Sequence, residues 1–142
     1  MIRAPRPDEI RLLPQIENAA DRRDGRLWVA TSPLNRPVGF ALMKRRAGTA
    51  WLDQLSVLDR WQGRGFGTAL IDRTSAAAGA LGFRALHLST YLRVAWNAPF
   101  YSRRGFAEVP RSDWPRTLRA LFMAENSHGH PPWRRTIMSR DV

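Results

Sequence analysis

The chain has 142 residues, a size that suits one domain, and its 44% hydrophobic content with six tryptophans supplies a core and argues against wholesale disorder. No cysteine is present, which excludes disulfides, thiolate metal sites and a cysteine nucleophile. The net charge is +11, and Lys44 is the only lysine, so arginine carries the basicity.

In chain order, residues 8–20 (DEIRLLPQIENAA) predict a first helix. Asp8 caps it and Leu12, Leu13 and Ile16 form its apolar face. LWVAT at 27–31 and VGFALM at 38–43 predict two strands of a hairpin joined through SPLNRP. A turn at 47–49 leads into a third strand, WLDQLSV at 51–57. A glycine-rich loop follows, then a helix from about Gly65 to Ala80 with Phe66, Leu70, Ala77 and Leu81 on one face. ALHLST at 85–90 is a strand reached through that helix, so it should run parallel to 51–57. Asn97 is placed to cap a short helix, APFYSRR, that ends at Gly105. FAEV at 106–109 predicts a short strand, 114–125 a helix with Leu118, Leu121 and Phe122 inward, and WRRTIMS at 133–139 a last strand. SHGHPP at 127–132 is a loop. The expected fold is a single α/β domain over residues 1–142: a mixed, mostly antiparallel twisted sheet with a central parallel βαβ crossover and helices on both faces.

Residues 1–30 carry no signal-peptide pattern, and no apolar run reaches the roughly 20 residues of a membrane helix, so a cytoplasmic protein without membrane contact is expected. A strongly basic chain can bind nucleic acid, but here the arginines are scattered, with no block of like charge. Abundant arginine, alanine, proline and glycine with almost no lysine also fits a high-GC coding sequence.

The stretch RWQGRGFGTALI at 60–71 invites a phosphate, and three templates compete for it. A dinucleotide fingerprint would need glycine at 68, where Thr68 stands. A Walker loop would need a lysine that this stretch lacks. The pattern Gln/Arg-x-x-Gly-x-Gly fits Gln62, Gly63, Arg64, Gly65, Phe66 and Gly67 in full, between a strand and a helix. Glycine lets backbone approach an anion closely, and successive N–H groups at a helix start attract it.

With LDQLSV before it, TALIDR after it and WNAPFYSRRGF further on, this loop resembles the GNAT family of N-acetyltransferases over about residues 27–109. The resemblance implies acetyl-CoA as acyl donor. It implies a pyrophosphate cradle from the backbone of Gly63, Arg64, Gly65, Phe66, Gly67 and Thr68, with Gln62 among the cofactor-binding residues and Arg60 and Arg64 adding charge. It implies a splayed strand whose edge at Leu55, Ser56 and Val57 receives the pantetheine arm. It makes Tyr101, four residues before Gly105, the acid that protonates the departing thiolate. Tyr91 is less well placed. Asp53 is a candidate base, with His87 or a chain of waters as alternatives; Gln54 cannot serve. Many relatives carry a cofactor-binding asparagine seven residues before the tyrosine, where this chain has Val94; Asn97 is a weaker candidate for that contact. No metal is implied.

The resemblance also implies a primary amine acceptor, small or on a peptide. Only one helix is legible before LWVAT, where relatives usually have two. The acceptor side is therefore open, or it is covered by the C-terminal region or by the second subunit of a homodimer. A catalytically weak module that only binds acyl-CoA is the alternative reading.

Overall fold

The computed structural model describes residues 1–9, 25–46, 48–91, 97–114, 116, 119–120 and 135–142. Its strands are β1 (Ile2–Arg3), β2 (Gly25–Thr31), β3 (Pro37–Arg46), β4 (Thr49–Val57), β5 (Ala85–Tyr91), β6 (Ala107–Glu108) and β7 (Arg135–Asp141). Its fully described helices are α1 (Phe66–Ala80) and α2 (Ala98–Ser102). The strands form one mixed sheet in the order β1-β2-β3-β4-β5-β7-β6.

β3 sits inside the sheet, with Phe40, Ala41, Leu42 and Met43 all buried in succession. A strand covered on both faces reads as a continuous apolar run, and VGFALM is one. Register sorts the core into two layers. Trp28, Ala41, Met43, Leu52, Leu86 and Leu88 pack with Leu70, Ile71 and Ala78 of α1. On the opposite face Val29 packs with Phe40 and Leu27, and Trp51 with Ile137 and Trp114.

α1 buries Leu70, Ile71, Thr74, Ser75 and Ala78, the positions that follow a helical stripe. The face expected from sequence is thus rotated. Leu70 lies at its centre, Phe66 and Ala77 pack at its margin, and Leu81 is half exposed beyond the last turn. Ile71 is one position further round than Leu70, and small Ser75 and Ala78 let the helix approach the sheet there.

β4 and β5 run parallel, as the crossover requires. Their pairing is brief: Ala50 faces Leu86, Trp51 faces His87, and there it stops. β4 remains paired to β3 as far as Val57, and β5 to β7 as far as Tyr91. The two strands therefore diverge, and a cleft opens between them. Just past the last rung, register shifts against β3: Leu42 faces Gln54 while Met43 faces Leu52, which makes Asp53 the extra residue of a bulge.

Three features differ from the sequence reading. Ile2–Arg3 add a short strand to β2, too short for periodicity to reveal. β7 inserts between β5 and β6, antiparallel to both, a long-range pairing that local sequence does not encode. Asn97 occupies the N-cap position of α2, but its side chain makes no capping hydrogen bond. The expected helix at 8–20 lies almost wholly outside the described residues. Of the one at 114–125, Arg116, Arg119 and Ala120 are described, and they are helical.

Candidate active site

A cleft of about 630 Å³ lies where β4 leaves β5. Leu55, Ser56 and Val57 form its strand wall, Gln62, Gly63, Gly65, Gly67 and Thr68 its loop wall, and Asn97, Phe100, Tyr101 and Arg104 its third side. The structure thus gathers most of the residues singled out from sequence into one cavity.

The loop's shape follows from its glycines. Gly63 and Gly65 have φ of 74° and 90°, and a Cβ at either would meet open space. Backbone conformation, not crowding, is what demands glycine there. Gly65 is also the N-cap of α1 and offers no side chain to the first-turn N–H groups. Those donors are left to an external acceptor at the positive end of a 15-residue helix. Gly67 faces α2: a Cβ there would lie 3.3 Å from the Phe100 ring.

Gln62 works on the protein itself. Its Nε2 donates to the Val57 carbonyl at 3.1 Å and to Asp59 Oδ1 at 3.4 Å, tying the loop to the end of β4. Arg64 and Phe66 do not line the cleft. The Arg64 guanidinium stacks over the Trp61 ring at 4.8 Å, and Phe66 meets that ring edge-on at 5.9 Å. Arg60 faces a separate shallow hollow with Leu34, Arg36 and Leu58.

Sequence reasoning missed Arg104. Its Nε donates to Thr68 Oγ1 at 2.8 Å, its Nη1 to the Phe100 carbonyl at 2.8 Å, and its guanidinium lies 3.6 Å above the Phe100 ring. It joins the start of α1 to the helix that carries Tyr101. The signal available was a second arginine before Gly105, but among so many arginines it did not stand out.

Tyr101 packs edge-on between Phe100 and Phe106, with centroids 5.2 and 5.7 Å away. Burial pushes its hydroxyl up to about 12, and the nearby Arg104 charge opposes that. The hydroxyl is therefore protonated throughout the neutral range.

Asp53 is not among the residues that line the cleft. Its carboxylate pairs with Arg46 and with Lys44 Nζ at 3.7 Å, and its side chain is only 12% exposed. The bulge that singles it out turns it toward β3. His87 stands at the last β4–β5 rung, its ring stacked on Trp51 with centroids 6.2 Å apart and planes 12° from parallel. Tyr91 ends β5, and its side chain lies outside what is described.

Comparison with known proteins agrees with this architecture. The model of the Acetyltransferase (GNAT) domain matches residues 23–108, more than half of the chain. The chain belongs to the GNAT acetyltransferase family. Rv2747 from Mycobacterium tuberculosis, solved in complex with CoA and NLQ, superposes with a TM-score of 0.74 at 16% identity, covering 100% of this chain and 99% of that one. A GNAT acetyltransferase from Staphylococcus aureus Mu50 gives 0.70 at 16% identity, covering 99% and 98%. One from Elizabethkingia anophelis, with acetyl-CoA bound, gives 0.67 at 15% identity, covering 100% and 97%.

Proposed function

We propose that this chain transfers an acetyl group from acetyl-CoA to a primary amine by direct attack of the amine on the thioester. One observation carries the reading: the parting of β4 from β5 opens beside the glycine loop and under Tyr101, so an anion site, a free strand edge and a proton donor share one cleft.

The residues suit the donor. A pyrophosphate needs several N–H donors without side-chain obstruction, and Gly63, Gly65, Gly67 and Thr68 provide backbone of that kind. The pantetheine arm carries amides, and the β4 edge at Leu55–Val57 has backbone groups turned away from β3 to meet them. Asn97 lines the same cleft and is free of capping duty, which supports a contact with the donor. Gln62 and Arg104 hold the loop and α2 in place around it. Arg64 and Phe66 contribute their main chain, since their side chains pack on Trp61.

Attack forms a C–N bond and breaks the C–S bond, so negative charge moves onto sulfur. Tyr101 keeps its proton until that moment. A thiol of ordinary pKa, near 8.5, is the stronger acid, so full transfer from a tyrosine held near 12 is uphill. Tyr101 therefore acts chiefly as a hydrogen-bond donor whose bond strengthens as the thiolate forms. The measurement that tests this reading is release of free CoA thiol from acetyl-CoA over a panel of small amines and peptides. Turnover with at least one amine is expected. Tight binding with no turnover across the panel would leave a module that only holds acyl-CoA.

A further inference from the structure

The face of the sheet opposite α1 carries polar groups that the donor cleft does not use. Register places Gln54 of β4 on this face with Leu42, next to the cleft-lining Ser56. His87 shares it through its pairing with Trp51, and Ser89 follows two residues on, where β5 has left β4. Two of these groups are anomalous. His87 Nδ1 and Ser89 Oγ are buried and have no hydrogen-bond partner among the described residues. A buried polar atom without a partner destabilises the fold, so two of them two residues apart at a parting of strands call for a function.

We propose that the acceptor amine reaches the thioester from this face, that His87 Nδ1 accepts its proton directly or through one water, and that the Ser89 hydroxyl holds the amine. This rests on the acetyltransferase reading above. The ring is well suited to the task. Stacking on Trp51 fixes its plane, and its place at the last rung sets it where β4 and β5 begin to part. Burial lowers its pKa from the ordinary 6.5, opposed by a hydrogen bond to the Ala50 backbone, so the imidazole is neutral at pH 7 with a lone pair to offer. Among the described side chains, the charged ones on this face are Lys44, Arg46, Asp53 and Asp141, and Asp53 pairs with both Lys44 and Arg46.

The protons balance. The ammonium gives one to His87, which frees the nitrogen lone pair to attack the carbonyl carbon. The C–N bond forms and leaves a second surplus proton on nitrogen. The C–S bond breaks with its electron pair on sulfur, and the Tyr101 hydrogen bond steadies the thiolate. The second nitrogen proton passes to that sulfur through solvent, and His87 releases the first to bulk. One proton leaves per turnover.

The test compares wild type with His87→Gln and Ser89→Ala, each checked for unchanged acetyl-CoA affinity by calorimetry. Two acceptors are used: an alkylamine, charged at pH 7, and an arylamine, already neutral there. His87→Gln should lower kcat/KM for the alkylamine about 100-fold at pH 7, and markedly less for the arylamine. It should also remove the acid limb of the wild-type pH profile, which should lie below pH 6.5. His87→Phe, which keeps an aromatic ring on Trp51, should behave like His87→Gln, because the lost function is the nitrogen and not the packing. Ser89→Ala should raise the amine KM several-fold with little change in kcat. An equal loss with both amines, or an acid limb that survives His87→Gln, would overturn the proposal while leaving the acetyltransferase reading intact. Absence of turnover in wild type with every amine would overturn both.

Discussion

The two ends of β4 face different demands. From Ala50 to Leu52 the strand is buried, Ala50 and Trp51 are paired on both sides, and Trp51 is almost wholly enclosed. From Leu55 to Val57 it is half buried, paired among the described strands with β3 alone, and open to the cleft, with the Val57 carbonyl held by Gln62. Between them lie the end of the β5 pairing and the bulge at Asp53. One strand is thus core at its start and site at its end. A free strand edge is ordinarily a liability. Here it is kept inside a cavity, where a ligand with amides of its own can answer it.

If this division holds, substitutions at the two ends should separate stability from binding. Trp51→Ala should cost about 3–5 kcal/mol of stability by chemical denaturation, as large core truncations do. Ser56→Ala, five residues along, should leave the denaturation midpoint almost unmoved. Tyr101→Phe should lower kcat about 100-fold while the acetyl-CoA dissociation constant stays within about twofold, because its hydroxyl matters mainly as the thiolate departs. Since burial holds that hydroxyl near 12, the wild-type rate should show no alkaline limb from Tyr101 below about pH 11. Gly65→Val, forced into a left-handed conformation beside the anion site, should weaken acetyl-CoA binding at least about tenfold, read by calorimetry, with the fold retained by circular dichroism. Asp53→Asn should change kcat less than about twofold, because its carboxylate serves Lys44 and Arg46.

A control lies remote from β4. Glu9 accepts from Arg3 at 2.8 and 2.9 Å and from the Arg6 N–H at 2.8 Å, which holds its carboxyl at about 2. The folded value lies below the ordinary 4.5, so the stabilisation is complete above that pH and is lost as pH falls through about 2. The melting difference between wild type and Glu9→Gln should therefore shrink between pH 5 and 2, with no effect on acetyl-CoA affinity at pH 7.

Much of this was legible in the chain. LWVAT, VGFALM and WLDQLSV announce their strands because short apolar runs between turn residues have few other fates. The glycine loop was legible from its own pattern and Tyr101 from the family resemblance of its place before Gly105, and both line the cleft. What escaped depends on contacts across the fold. The parting of β4 from β5 is a property of two strands, not one. The assignment of Asp53 to Lys44 and Arg46 needs the bulge and the register against β3. Arg104 reaches Thr68 across 36 positions of sequence. The rotated face of α1 shows a nearer limit: Leu81 matched the helical period, but the helix had ended before it.

The central claim is that the donor lies along the open end of β4 and against the glycine loop. Backbone amide hydrogen exchange with and without acetyl-CoA tests it most directly. Exchange should slow at Leu55–Val57 and at Gly63–Thr68 on addition of acetyl-CoA, and remain unchanged at Ala50 and Trp51, where both edges are already paired. Protection confined to other parts of the sheet, or none at all at saturating acetyl-CoA, would contradict the account.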